Sequence, residues 1–179
     1  MTFWKLFWKN TKVIQINQQL YKHNFLKYKI LIKDFHYQDQ KINILLSQDK
    51  NINLYELEEL CDTVGWVRRP LKKVKIAIQH SFLTISLFYQ NNTCKKLIAF
   101  ARATSDNTFN ATIWDVVVHP DFQGQGLGKI LINETIKQLR YADINTITLF
   151  ADPQVISFYK NLGFISDPDG VKGMFWYPH

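Results

Sequence analysis

Apolar and polar positions change rhythm several times along the chain, and each change marks an element. Ile42, Ile44 and Leu46 alternate at the period of two that a half-buried strand shows, and the polar run from Ser47 to Asn53 ends it. Leu54, Leu57, Leu60, Cys61 and Val64 then recur at helical spacing up to Gly65. Pro70 opens a second helix with Leu71, Val74, Ala77 and Ile78 as its buried stripe and Lys72, Lys73 and Lys75 in solvent. Three strand-like runs follow, 82–89, 94–103 and 111–118, separated by the turn residues Gln90-Asn91-Asn92 and Ser105-Asp106-Asn107.

Beyond residue 130 the helical period returns in Leu131, Ile132, Ile136 and Leu139, and Ile147, Leu149 and Ala151 alternate as a strand. A short helix carries Val155, Phe158, Tyr159 and Leu162 on one side and stops at Gly163. Two last strand fragments are expected on either side of the turn Asp167-Pro168-Asp169-Gly170. The pattern predicts one α/β (α+β) domain over 41–179, with a mixed, mostly antiparallel sheet flanked by helices.

Residues 1–40 form a different segment. Lys5, Lys9, Lys12, Lys22, Lys27, Lys29 and Lys33 precede the first acidic residue, Asp34, and alternate with Phe3, Trp4, Phe7, Trp8, Tyr21, Phe25 and Tyr28. At about 100° per residue the aromatics of the first 14 positions share a face, which predicts a short amphipathic helix. Either it packs on the domain, or it docks to a membrane surface or a partner.

Composition narrows the class. With 179 residues, 46% of them apolar, the chain can bury its own core, and no run is long enough to span a bilayer. Cys61 and Cys94 lack the spacing of a zinc site, so no metal is expected. The net charge is +7, and Arg stands only at 68, 69, 102 and 140, so Lys supplies most of the 22 basic residues. That excess suits an anionic ligand such as a nucleotide cofactor. No nucleic-acid motif accompanies it, so nucleic acid is not an expected partner.

The chemistry is concentrated between 116 and 129. The segment Val116-Val117-Val118-His119-Pro120-Asp121-Phe122-Gln123-Gly124-Gln125-Gly126-Leu127-Gly128-Lys129 runs from a strand, through a glycine-rich turn, into a helix. Glycines at alternate positions let consecutive N–H groups point into one concavity, and the helix start adds partial positive charge. A diphosphate fits there. Lys129 is followed by Ile130 rather than Ser or Thr, and no Gly lies five residues before Gly128, so this is not a P-loop. A dinucleotide fingerprint begun at Gly124 would need Gly at 129, where Lys stands. What is left is Gln-x-x-Gly-x-Gly at Gln123, Gly126 and Gly128.

That segment resembles motif A of the GNAT acetyltransferases, and 147–152 with Phe158-Tyr159-Lys160-Asn161-Leu162-Gly163-Phe164 resembles their motif B. The stretches Leu54 to Leu71, Ala99 to Asp106, Trp114 to Val118 and Gly173 to Pro178 are similar to the plastid and cyanobacterial subgroup. That subgroup includes the plant chloroplast protein acetyltransferases, also described as serotonin N-acetyltransferases. Resemblance covers 42–178. It implies a sheet splayed between the strands at 111–118 and 146–151, with the pantetheine of acetyl-CoA in the gap. It also implies pyrophosphate on the amides of Gln123, Gly124, Gln125, Gly126, Leu127, Gly128 and Lys129, an oxyanion donor near Val117, and Tyr159 as general acid.

A phenol with pKa near 10 is protonated at neutral pH and can protonate a departing thiolate, although its spacing also suits a core aromatic. A base for the attacking amine is sought first in Asp115, then in Asp152, which also lies against the expected cofactor, and then in His119. Each is equally readable as a turn-bonding side chain. The expected acceptor is a primary amine, on a protein Lys or N-terminus, with arylalkylamines as the alternative. A catalytically silent CoA-binding module is the competing class. The sequence does not choose between monomer and homodimer. Early basic residues without Arg, and a first Ser at 47, are unlike a transit peptide, so a plastid-encoded protein is expected, or else a cyanobacterial cytosolic one.

Overall fold

The computed structural model describes residues 27–91 and 94–177. The amphipathic helix expected in the first 14 residues lies outside them. The described residues fall into two compact units, 27–150 and 151–177.

The larger unit is a six-stranded sheet in the order β1-β2-β3-β4-β5-β6. β1 (Lys29–Tyr37), β2 (Gln40–Ser47), β3 (Leu83–Gln90), β4 (Lys95–Ser105) and β5 (Asn110–Val118) form an antiparallel meander, and β6 (Thr146–Leu149) joins β5 in parallel. β1 falls in the segment that the sequence assigns to the extension. Its lysines are exposed and its apolar residues only half-covered, so its alternation is lost among the surrounding basic residues.

Two helices interrupt the meander between β2 and β3. In α1 (Leu54–Thr63), the Asn53 side chain accepts the Tyr55 N–H at 3.0 Å and so caps the first turn. Leu57 and Leu60 are buried, and the helix ends before Gly65, whose φ of 76° supplies the left-handed residue of a helix stop. α2 (Leu71–Gln79) begins right after Pro70 and buries Ile78. These helices and the sheet share a core of Leu45, Leu57, Leu60, Ile78, Phe88, Leu97, Phe100 and Val117. α3 (Leu127–Tyr141) packs on β3, β4 and β5 and buries Leu127, Leu131, Ile132, Thr135 and Leu139. No helix among the described residues is long and apolar enough to cross a membrane.

The β4–β5 hairpin is closed by Asp106. Its carboxylate accepts the N–H groups of Thr108, Phe109 and Asn110 at 2.8–2.9 Å and the Asn110 side-chain amide at 2.9 Å. These bonds, the Asn110 backbone N–H foremost, hold the carboxyl below its ordinary range. A depressed folded pKa gives stability that is present above the unfolded value of about 3.9 and is lost as pH falls through the folded value. Asp106→Ala is therefore expected to melt below the wild type at pH 7, with the difference shrinking toward pH 2 in a pH series of thermal melts. A constant difference would contradict the carboxylate's role.

The smaller unit carries α4 (Ile156–Lys160) and short 3₁₀ turns at Pro153–Val155 and Pro168–Gly170. The two terminal strand fragments expected from the sequence do not form among the described residues. Apolar residues there are exposed, Ile165 at 78% and Met174 at 96%. A strand forms only where a neighbour takes up its backbone hydrogen bonds, and among the described residues no strand pairs with this segment.

Candidate active site

The larger unit opens at β5. Its parallel pairing with β6 runs from Asn110↔Thr146 to Ile113↔Leu149 and stops, while β5 continues to Val118 along β4 alone. The residues just past the last paired rung, Trp114 and Phe150, bring their rings to 5.4 Å, and Trp114 is anchored by its indole N–H to Thr104 Oγ1 at 2.9 Å. Beyond them the far edge of β5 has no strand partner among the described residues. The splay expected between the two strands is thus present.

The free stretch begins at a β-bulge. Phe100 pairs with Val117 and Arg102 with Trp114, so Asp115 and Val116 together oppose Ala101. Asp115 adopts φ 53°, a left-handed conformation that costs a residue with a Cβ roughly 1–2 kcal/mol. Two guanidinium groups hold it there. Arg102 Nε reaches Asp115 Oδ2 at 2.5 Å, and Arg69 Nη1 reaches Oδ1 at 3.0 Å. Past the bulge, Val117 is buried in the core and Val116 and Val118 are half-buried. The His119 N–H donates to Ile98 O on β4 at 2.8 Å, so by strand alternation Val118 turns its N–H and C=O to the open edge. The Gln123 side chain donates to that carbonyl at 2.9 Å.

The glycine loop follows directly. Pro120–Phe122 form a 3₁₀ turn, and the His119 ring accepts the Asp121 N–H at 3.3 Å. Phe122 is 2% exposed and stacks on Tyr37 of β1 at 4.3 Å, with Tyr89 of β3 at 5.8 Å. The Tyr37 hydroxyl donates to Asp121 Oδ2 at 3.1 Å, and burial, followed by that bond and the carboxylate's charge, pushes its phenol above the ordinary range. The Gln125 side chain donates to Asp121 O at 2.7 Å. The side chains of Gln123 and Gln125, both expected at the cofactor, therefore brace the loop from within.

Gly124 and Gly126 take φ of 73° and 83°, and Gly126 is the N-terminal cap of α3 with no side-chain acceptor for the helix amides. The first-turn amides of Leu127, Gly128 and Lys129 have no intrahelical acceptor, and no acidic residue lies in that turn. Strand, loop and helix start thus bring the residues expected for an anion site, 123–129, to one end of the open β5 edge. The donor set suits a diphosphate.

Tyr159 belongs to the smaller unit. It sits on α4 with its ring edge-on to Phe158 at 5.0 Å and to Phe164 at 5.8 Å. Burial, and then the negative charge of Asp152, push its phenol above the ordinary tyrosine value, which favours the protonated form that an acid needs. Asp152 is exposed, and its carboxylate makes no hydrogen bond or ion pair with the described residues. Sequence reasoning did not find Arg69 and Arg102 as partners of Asp115. A signal existed in the scarcity of Arg, but pairing across 46 and 13 positions needs the fold.

An open strand edge that runs into a glycine loop and a helix start, on a meander closed by one parallel strand, is the arrangement that the resemblance to the acetyltransferases implies. Comparison with known proteins agrees. The model of the Acetyltransferase (GNAT) family matches residues 51–164. An N-acetyltransferase of Gracilaria tenuistipitata var. liui designated ycf52 is 63% identical over 180 residues, 99% of each chain. The Glycine max histone acetyltransferase TAP1 is 53% identical over 143 residues, 76% of this chain and 62% of the relative. Among solved structures, a Streptococcus pneumoniae protein of the GNAT family superposes with a TM-score of 0.62 at 20% identity, over 75% of this chain and 98% of the other. The chain belongs to the GNAT family and is an N-acetyltransferase.

Proposed function

We propose that this enzyme transfers the acetyl group of acetyl-CoA to a primary amine on a protein, a Lys side chain or an N-terminus. The observation that carries this is the continuity of the open β5 edge with the glycine loop. A thioester and its pantetheine arm can pair with the strand while the diphosphate rests on the amides of residues 123–129. An N–H of the Val116–Val118 stretch then polarises the thioester carbonyl. Attack by the amine forms the new C–N bond, the C–S bond breaks, and Tyr159 donates its proton to the departing thiolate.

The proton released by the amine needs an acceptor. Both oxygens of Asp115 are engaged by Arg69 and Arg102, which fits it to hold the bulge. Asp152, whose carboxylate has no hydrogen-bond or ion-pair partner among the described residues, takes the role of base, directly or through water. Tyr159, raised in pKa by burial and then by the charge of Asp152, also favours an enzyme over a silent binding module.

The protein acceptor is supported by the 53% identity with a relative named a histone acetyltransferase. A plastid location is supported by an Arabidopsis thaliana relative named chloroplastic, 48% identical over 151 residues. The acceptor is tested by comparing kcat/KM for a Lys peptide, an N-terminal peptide and serotonin. Peptides are expected to exceed serotonin by at least about tenfold, a difference of about 1.4 kcal/mol in transition-state binding. A preference for serotonin would overturn the protein assignment and leave acetyl transfer intact.

A further inference from the structure

Asp115 is held by two cations with different origins, and the difference is informative. Arg102 stands on the neighbouring strand, one residue from the bulge opening, and is 14% exposed in its side chain. Its Nη1 also reaches Ser81 Oγ at 3.5 Å. This pair alone ties the carboxylate to the sheet. Arg69 adds nothing to the sheet's own bonding. It comes from the loop between α1 and α2, 46 positions earlier, and is 43% exposed. What its bond to Asp115 Oδ1 fixes is the loop and the bulge relative to each other.

The loop is pinned at a second point. Arg68 donates from Nε and Nη2 to the Asp62 carboxylate, with the shorter contact at 2.6 Å, and so fastens the loop to the last turn of α1. Consecutive arginines therefore hold opposite sides of one short segment, Arg68 to the helix before it and Arg69 to the strand that carries the open edge. Residues 66 and 67 are left outward, with Val67 88% exposed.

We propose that Arg69 is a positioning residue: through Asp115 it locks the α1–α2 loop to the β5 bulge, and so sets the direction of the backbone amides just beyond it. The bulge residue is in a left-handed conformation that needs an outside restraint, and a carboxylate clamped from both sides supplies one. This rests on the proposed use of the β5 edge by the thioester. The pyrophosphate cradle at 123–129 lies past the end of β5 and makes no bond to this clamp. The clamp should therefore act on the chemical step and leave cofactor affinity alone.

In the full chain, Arg69→Gln is expected to lower kcat about tenfold while the Kd for acetyl-CoA, read by calorimetry, stays within about twofold of the wild type. Arg69→Lys, which keeps the charge without the planar fork, should recover part of the loss. Adding Arg69→Gln to Asp115→Asn should cost little further, since Asp115→Asn already removes the carboxylate that Arg69 holds. Amide hydrogen exchange over residues 115–118 should quicken in Arg69→Gln. Wild-type kcat in Arg69→Gln, a Kd that rises in step with the loss of kcat, or unchanged exchange at 115–118 would each overturn the proposal. Failure of the wild type to bind acetyl-CoA would instead remove the proposed function, and the exchange measurement would still decide whether the tether exists.

Discussion

Replacing Tyr159 by Phe is expected to lower kcat by about 10²–10³-fold while leaving the Kd for acetyl-CoA almost unchanged. The substitution keeps the ring and its edge-on contacts with Phe158 and Phe164, so it removes the hydroxyl without opening a cavity. The magnitude follows from the leaving group: a thiolate departs more readily when a positioned acid protonates it, and general acid catalysis is typically worth about 10²–10⁴-fold. The pH dependence has a definite sign. Burial and Asp152 raise the phenol's pKa, so the acid form persists through neutral pH, and activity that depends on it falls only on the alkaline side, above the ordinary value of about 10. Steady-state kinetics of the variant across pH, with calorimetry for cofactor affinity, checks both statements. A kcat equal to that of the wild type would remove Tyr159 from the chemistry.

The second large effect is expected at Gly126. Introducing Asp there should weaken acetyl-CoA binding by at least about 100-fold, whereas Gly126→Ala should weaken it only several-fold. The two variants separate two causes. Nothing lies within 4 Å of a Cβ built at Gly126, so neither side chain meets a steric block in the free protein. Both, however, must take the φ of 83° that caps α3, a left-handed geometry costing a residue with a Cβ roughly 1–2 kcal/mol. Only Asp also sets a negative charge against the helix amides where the diphosphate is proposed to rest. Titration calorimetry with acetyl-CoA reads the difference, and equal affinities for the Ala and Asp variants would mean that no anion binds at this helix start.

Much of this arrangement is legible in the residues alone, for physical reasons that differ from place to place. The strands from 82 to 118 and α3 could be read because each buries one periodic face, and a period survives any detail of packing. The glycine loop was legible because positive φ, strand end and helix start coincide in one short stretch, so local chemistry suffices. β1 was not, since an edge strand with exposed lysines buries too little to leave a pattern. The expected pair of strands near the C-terminus did not form among the described residues, where no strand pairs with that segment. The role of Asp115 was the least legible. Its type and place suggest a base, and only the fold brings Arg69 and Arg102 to its two oxygens.

The same contrast assigns labour within the proposed mechanism. Of the two carboxylates considered, the one fixed by guanidinium groups is proposed to shape the strand edge, and Asp152, without a partner among the described residues, is proposed to handle protons. Asp115→Asn should accordingly leave the acidic limb of the pH–rate profile in place, while Asp152→Asn should displace it.

The central claim is that the β5 edge and its glycine loop present acetyl-CoA to an amine. Release of free CoA thiol from acetyl-CoA, followed with the purified full chain in the presence and absence of a Lys peptide, tests it most directly. The account predicts thiol release in step with peptide acetylation, and none when the peptide is left out. A folded protein that releases no thiol with any primary amine would contradict it.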